Sequence, residues 1–136
     1  MYKIKIFTVG KAKENWLCDA LAEYESRLSP YLTLEWFLAK DDKGLSAWAE
    51  KESFFIALDP QGKTFTSEDF SKHLIKFPRV SFFIGGAEGL PASLKSKAKE
   101  LWSLSPLTFT HQMTRIILLE QIYRAFEIER GSPYHK

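Results

Sequence analysis

The stretch Val80-Ser81-Phe82-Phe83-Ile84-Gly85-Gly86-Ala87-Glu88-Gly89-Leu90 decides the fold. An apolar run stops at three glycines within five positions, and a helix-like pattern opens directly afterwards with Pro91. That order predicts a buried strand, a tight loop and a helix start. Glycines cluster where backbone adopts φ > 0 or approaches another group closely. In open α/β sheets ligands sit outside the carboxyl ends of the strands, so this loop lies where a ligand would. An ordinary βα turn, with glycines for packing, is the plain alternative. Gly85-Gly86-Ala87-Glu88-Gly89 does not complete the G-x-G-x-x-G fingerprint, which argues against a dinucleotide site.

Outward from this stretch the chain alternates strand and helix signals. Residues 2–9 read as a strand, 14–28 as an amphipathic helix stopped by Ser29-Pro30, and 32–38 as a second strand. Residues 39–52 are polar, a loop with at most one short helix. Ser53–Leu58 is nearly continuous in apolar residues, as in a strand covered on both faces. Asp59-Pro60-Gln61-Gly62 reads as a turn. Helices are predicted over 67–77, 91–101 and 113–129, with a short last strand over Ser105–Phe109. Alternation with buried strands predicts a largely parallel α/β sheet with helices on both faces. The last helix carries Met113, Ile116, Ile117, Leu118, Leu119, Ile122, Ala125, Phe126 and Ile128 around most of its circumference. A helix apolar on nearly all sides must be buried nearly all round, which points to a symmetric homodimer interface, with a central helix inside one subunit as the plain alternative.

Length and composition bound the function. With 136 residues, 45% of them apolar and twenty aromatic, the chain suits a single domain, 1–136. No apolar run approaches a membrane span, the N-terminus lacks a signal-peptide pattern, and one cysteine, Cys18, excludes an internal disulfide. A cytoplasmic protein without metal is expected, with Cys18 as a small core residue. The net charge of +2 does not by itself imply nucleic acid. Lys3, Lys5, Lys11 and Lys13 nevertheless crowd the first thirteen residues without an acid.

Ordered matches along the whole chain resemble the ribosomal RNA large-subunit methyltransferase H family, small members of the SPOUT superfamily. They run from Thr8-Val9-Gly10-Lys11 through Ala22-Glu23-Tyr24, Leu58-Asp59 with Gly62-Lys63, and Ile84-Gly85-Gly86 with Glu88-Gly89-Leu90. Leu104-Ser105, Leu107-Thr108-Phe109, His111-Gln112-Met113, Arg115, Glu120-Gln121, Tyr123-Arg124-Ala125 and Pro133-Tyr134-His135-Lys136 follow. Residues 39–53 are shorter than is usual in that family. The resemblance implies a C-terminal deep trefoil knot, S-adenosylmethionine as cofactor, and a homodimer in which both subunits build one active site. It implies methylation of N3 of a pseudouridine in helix 69 of 23S ribosomal RNA, on the assembled ribosome.

Carried over residue by residue, the resemblance places the cofactor on Leu58, Gly85, Gly86, Leu104, Ser105, Pro106, Leu107, Thr108 and Phe109. For Leu58 and Leu107 plain core packing is the alternative. N3 of pseudouridine carries a proton, so the acceptor requires a base or an anion-stabilising donor. His135 is a candidate base, Tyr134 a candidate for stacking on or hydrogen-bonding the nucleobase, and Arg115 a candidate for neutralising charge on the ring or holding a phosphate. A frayed tail and an ordinary surface arginine are the alternatives. His111 is expected to brace the fold, and Glu88 to bond the amides of its own loop. A transfer RNA methyltransferase of the same superfamily and a ribosome-binding factor without catalysis are the competing functions.

Overall fold

The computed structural model describes residues 1–136. Five parallel strands form one sheet in the order β2-β1-β4-β3-β5: β1 Tyr2–Val9, β2 Leu32–Ala39, β3 Ile56–Thr64, β4 Arg79–Phe83 and β5 Glu100–Ser103. Three helices, α1 Asn15–Leu28, α3 Ser67–Leu74 and α5 His111–Glu129, cover one face. Two others, α2 Asp42–Lys51 and α4 Ala92–Lys97, cover the opposite face. This is the doubly covered parallel sheet that the apolar strands predict.

The alternation of β4 shows how the layers arise. Val80 and Phe82 enter the core under α1, α3 and α5, whereas Phe83 enters the core under α2 and α4. Phe7 of β1 stacks on Phe83 and Phe37 with ring centroids 4.5 Å apart in each pair. Trp102 of β5, 1% exposed, fills the other layer against Phe65, Phe70 and Phe82. Rings so arranged bury large areas in offset or edge-on contacts.

Several boundaries differ from expectation. Residues 39–52 hold a full helix, α2: Asp41 caps it by accepting from the Gly44 amide at 2.8 Å, and Leu45 and Ala49 are buried. The strand expected over Ser53–Leu58 begins at Ile56 and continues past the predicted turn to Thr64. Leu58 and Lys63 both stand opposite Trp102, so Asp59–Gly62 is an excursion within the strand rather than its end. The helix expected over 91–101 stops at Lys97, because Glu100–Ser103 is taken up as β5 against β3. Ser105–Phe109, expected as the last strand, is instead a loop. The third helix ends at Leu74, ahead of Pro78. α5 starts at His111, because the Thr110 hydroxyl caps the Met113 amide at 3.2 Å. Cys18 is exposed rather than in the core; its thiol points to the Ala12 carbonyl at 3.4 Å.

Gly62 is required by the excursion in β3. A Cβ there would lie 2.7 Å from the backbone C and O of Leu101 on β5. The neighbour is backbone and cannot rotate away, so Gly62→Ala should lower stability by about 1–3 kcal/mol, as overpacking does. A drop in the urea midpoint with unchanged slope checks this.

Candidate active site

The excursion within β3 and the carboxyl ends of β4 and β5 open onto a cleft of about 450 Å³. Gly85 makes the cleft's central wall possible. A Cβ on it would sit 2.5 Å from the Gly89 backbone carbon and 2.7 Å from the Leu90 amide, so the loop folds onto itself only with glycine there. Gly89, at φ +78°, completes the turn, and its amide donates to the Gly86 carbonyl at 3.0 Å. The second wall is the loop after β5. The Ser103 hydroxyl donates to the Ser105 carbonyl at 2.8 Å, and the Ser105 hydroxyl accepts from the Leu107 amide at 3.0 Å. This side-chain turn leaves Leu107 70% exposed at the cleft rather than in the core.

Of the predicted cofactor residues, Leu58, Gly85, Gly86, Leu104, Ser105, Leu107, Thr108 and Phe109 line this cleft. Pro106 belongs to the same loop but not to the cleft wall. Asp59, from the matched Leu58-Asp59 segment, also lines it, and the sequence reading missed its partner Lys95, with which it forms an ion pair at 2.8 Å. Burial alone would raise the Asp59 carboxyl, but the hydrogen bond from Lys95 and the Gln61 amide outweigh it and hold it below its usual value. Glu88 is exposed on the rim, and His111 stands at the wall where α5 begins. Burial first, and then the charge of Arg115, lower the His111 pKa.

Arg115 is not a surface charge. It is 2% exposed, and its Nη2 donates to the Val9 and Gly10 carbonyls at 2.8 Å each, fastening the loop after β1 to α5. No carboxylate pairs with it within 4.0 Å, and its Nε has no hydrogen-bond partner. Burial lowers its pKa, an effect the charge of Glu14 opposes. A buried guanidinium without a counter-ion is costly unless an anion or dipoles compensate it.

The C-terminal tail is docked. Glu127, 3% exposed, accepts from Arg130 Nε at 2.9 Å, from Ser132 Oγ at 2.8 Å and from the Tyr31 hydroxyl. Tyr134 donates its hydroxyl to Glu120 at 2.8 Å and lies edge-on to Tyr123, under the Arg124 guanidinium. Burial, and then the Glu120 carboxylate, raise the Tyr134 pKa, so the phenol stays protonated at neutral pH. His135 contacts Arg124 Nη1 through Nδ1 at 3.0 Å and Glu68 through Nε2 at 3.1 Å. Arginine can only donate, so Nδ1 accepts and Nε2 carries the proton toward Glu68. Within one chain Tyr134 and His135 thus stand together, but away from both the cleft and Arg115.

Glu127 yields a pH test. Its carboxyl is lowered from 4.5 to about 2, chiefly by the Arg130 hydrogen bond, against an opposing effect of burial. A depressed folded-state pKa stabilises above the unfolded value, and that stabilisation fades as pH falls from about 4.5 toward about 2. Glu127→Gln should therefore lower the melting temperature at pH 7 and flatten its fall over that window. Melting temperatures measured against pH for both proteins check this.

A parallel sheet, a glycine-closed loop and a cleft framed by the β3 excursion and the ends of β4 and β5 define an α/β domain with a pocket of small-ligand size. Residues 2–135 match the family described as "Predicted SPOUT methyltransferase". The chain is 52% identical to a "Ribosomal RNA large subunit methyltransferase H" of Protochlamydia amoebophila (strain UWE25), covering 100% of both chains. It is 42% identical to the protein of that name from Streptococcus pneumoniae (strain CGSP14), over 98% of this chain and 99% of the relative. Among solved structures, a "probable methylase family protein from Haemophilus influenzae Rd KW20" shares the fold. The TM-score is 0.62 at 8% identity, over 98% of this chain and 70% of that one. The chain belongs to the ribosomal RNA large subunit methyltransferase H family of SPOUT methyltransferases.

Proposed function

We propose that this protein methylates N3 of a pseudouridine in helix 69 of 23S ribosomal RNA, with S-adenosylmethionine as donor and the assembled ribosome as substrate. The observation that carries the reading is the cleft between the β3 excursion and the ends of β4 and β5, on a chain of this family. Its volume lies within the range of small-ligand pockets, and six of its eighteen lining residues are hydrophobic, set among glycines and polar side chains. The residues fit the donor: Leu58, Leu104, Leu107 and Phe109 offer apolar surface for an adenine. Gly85 and Gly86 let backbone amides and carbonyls come close, and Ser105, Pro106 and Thr108 belong to the facing loop. When bound, S-adenosylmethionine supplies a methyl group made electrophilic by its sulfonium.

The remaining chemistry falls to the chain's own side chains. His135 holds its lone pair at Nδ1 and takes up the N3 proton there once Arg124, already bonded to Glu120 at 2.8 Å, releases it. Tyr134, kept protonated, stacks on the splayed nucleobase or donates a hydrogen bond to it; it is not the base. Arg115 offers a buried, unpaired positive charge to an anionic group of the RNA or the developing ring anion. The basic start of the chain, Lys11 and Lys13 among it, supplies phosphate contacts that position without specifying.

The tail does not reach the cleft of its own chain, which supports a homodimer whose partner's tail closes the site. Apolar surface is available for that contact: Ile116, Ile117 and Ile128 of α5 are half-buried, and Met113 and Trp16 are 40% and 53% exposed. The family, and the return of α5 from the edge strand β5 to pack on α1 and α3, support a threaded, trefoil-knotted path. A ribosomal substrate implies the cytoplasm.

Tritiated S-adenosylmethionine, incubated with the protein and ribosomes lacking the modification, should label one pseudouridine of helix 69. Label in transfer RNA, or none, would overturn the assignment. Removal of Tyr134–Lys136 should leave calorimetric binding of S-adenosylhomocysteine unchanged. Methylation should fall by at least about 100-fold, the scale of a lost general base.

A further inference from the structure

The cleft has two unlike sides. Leu58 turns into the core beneath α1, α3 and α5, and Leu104 packs against that same core. Asp59, the next residue of β3, faces the opposite way and meets Lys95 of α4 at 2.8 Å. Asp59 and Lys95 are the only oppositely charged pair on the wall; the other acid, Glu88, is exposed on the rim. Their side chains are 11% and 32% exposed, so the pair is sheltered yet reachable from the cleft. The Gln61 amide, 2.9 Å from Asp59 Oδ1, fixes the carboxylate in place.

We infer that Asp59 and Lys95 form the subsite for the amino-acid end of the methyl donor, the Lys95 ammonium receiving its carboxylate and the Asp59 carboxylate its α-ammonium. The inference rests on the cofactor assignment above and adds to it the residues that select an amino-acid-bearing nucleoside. The physical reason is charge matching. Opening the pair for a neutral ligand would leave Asp59 sheltered and unpaired, which is costly. A zwitterion carries no net charge and gives each side chain a new partner as it separates them. Both new contacts are charge-assisted hydrogen bonds, the stronger kind. A nucleoside thioether without the amino-acid end has nothing to exchange and leaves the pair closed. Fastening β3 to α4 is the simpler role for such a pair, and the two roles part on truncated ligands.

Full-length protein is titrated calorimetrically with S-adenosylhomocysteine and with 5′-methylthioadenosine, which keeps the nucleoside and sulfur but lacks the amino-acid end. Lys95→Met and Asp59→Asn should each weaken S-adenosylhomocysteine by at least about tenfold, as expected for a lost hydrogen bond to a charged group. Both should leave 5′-methylthioadenosine within about twofold, which also shows that the variants fold. Lys95→Arg, which keeps the charge, should retain most of the preference for S-adenosylhomocysteine. Equal loss for both ligands would reduce the pair to a structural fastener, and no loss for either would remove it from the site; each result overturns the inference while sparing the cofactor assignment. Wild-type protein that binds neither ligand overturns that assignment and the inference with it.

Discussion

The rest of the molecule depends on how closely the backbone approaches itself at Gly85. β4 is buried on both faces, and the chain must leave it, reverse and enter α4 within a few residues. A Cβ at Gly85 would stand 2.5 Å from the Gly89 backbone carbon, so no other residue permits this reversal without moving the main chain. The folded loop forms one wall of the cleft and sets where α4 starts. The start of α4 in turn fixes Lys95 against Asp59. A side chain one carbon larger at one position would disturb the wall, the helix and the ion pair together.

The cleft and the C-terminal tail have different kinds of support. The cleft rests on backbone geometry: strand ends, a glycine loop and a side-chain turn at Ser105. The tail rests on charged hydrogen bonds, with Glu127 holding Arg130 and Ser132 and Glu120 holding Arg124 and Tyr134. Backbone supports hold against pH, whereas carboxylate supports weaken as the carboxyls protonate. Arg115 joins neither system. It ties the loop after β1 to α5 and keeps part of its guanidinium unpaired.

The sheet was legible wherever apolar residues ran without a break. Val80–Phe83 is such a run, and burial on both faces follows from it. The chain misled where surface function imitates local structure. Leu107 and Phe109, two apart within Ser105–Phe109, have the apolar spacing of a strand, but they line a cleft and Leu107 is 70% exposed. Lys95, Lys97, Lys99 and Glu100 look like a continuing helix, yet Glu100 begins β5, because pairing with β3 outweighs local propensity. α2 was obscure because only Leu45 and Ala49 are buried in a charged segment. The site residues came from ordered family resemblance rather than from periodicity. Asp59 and Lys95 were missed as a pair because nothing in linear sequence signals an ion pair between distant elements. The burial of Arg115 was equally invisible, since a charge in sequence carries no sign of its surroundings.

Hydrogen–deuterium exchange with and without S-adenosylhomocysteine tests the central claim most directly, namely that the excursion within β3 and the loops after β4 and β5 form one ligand cleft. Slowed exchange should concentrate in residues 58–62, 85–90 and 104–109 and leave α2 and the edge strand β2 unchanged. Binding with protection confined to other segments, or with none in these three, would contradict the account.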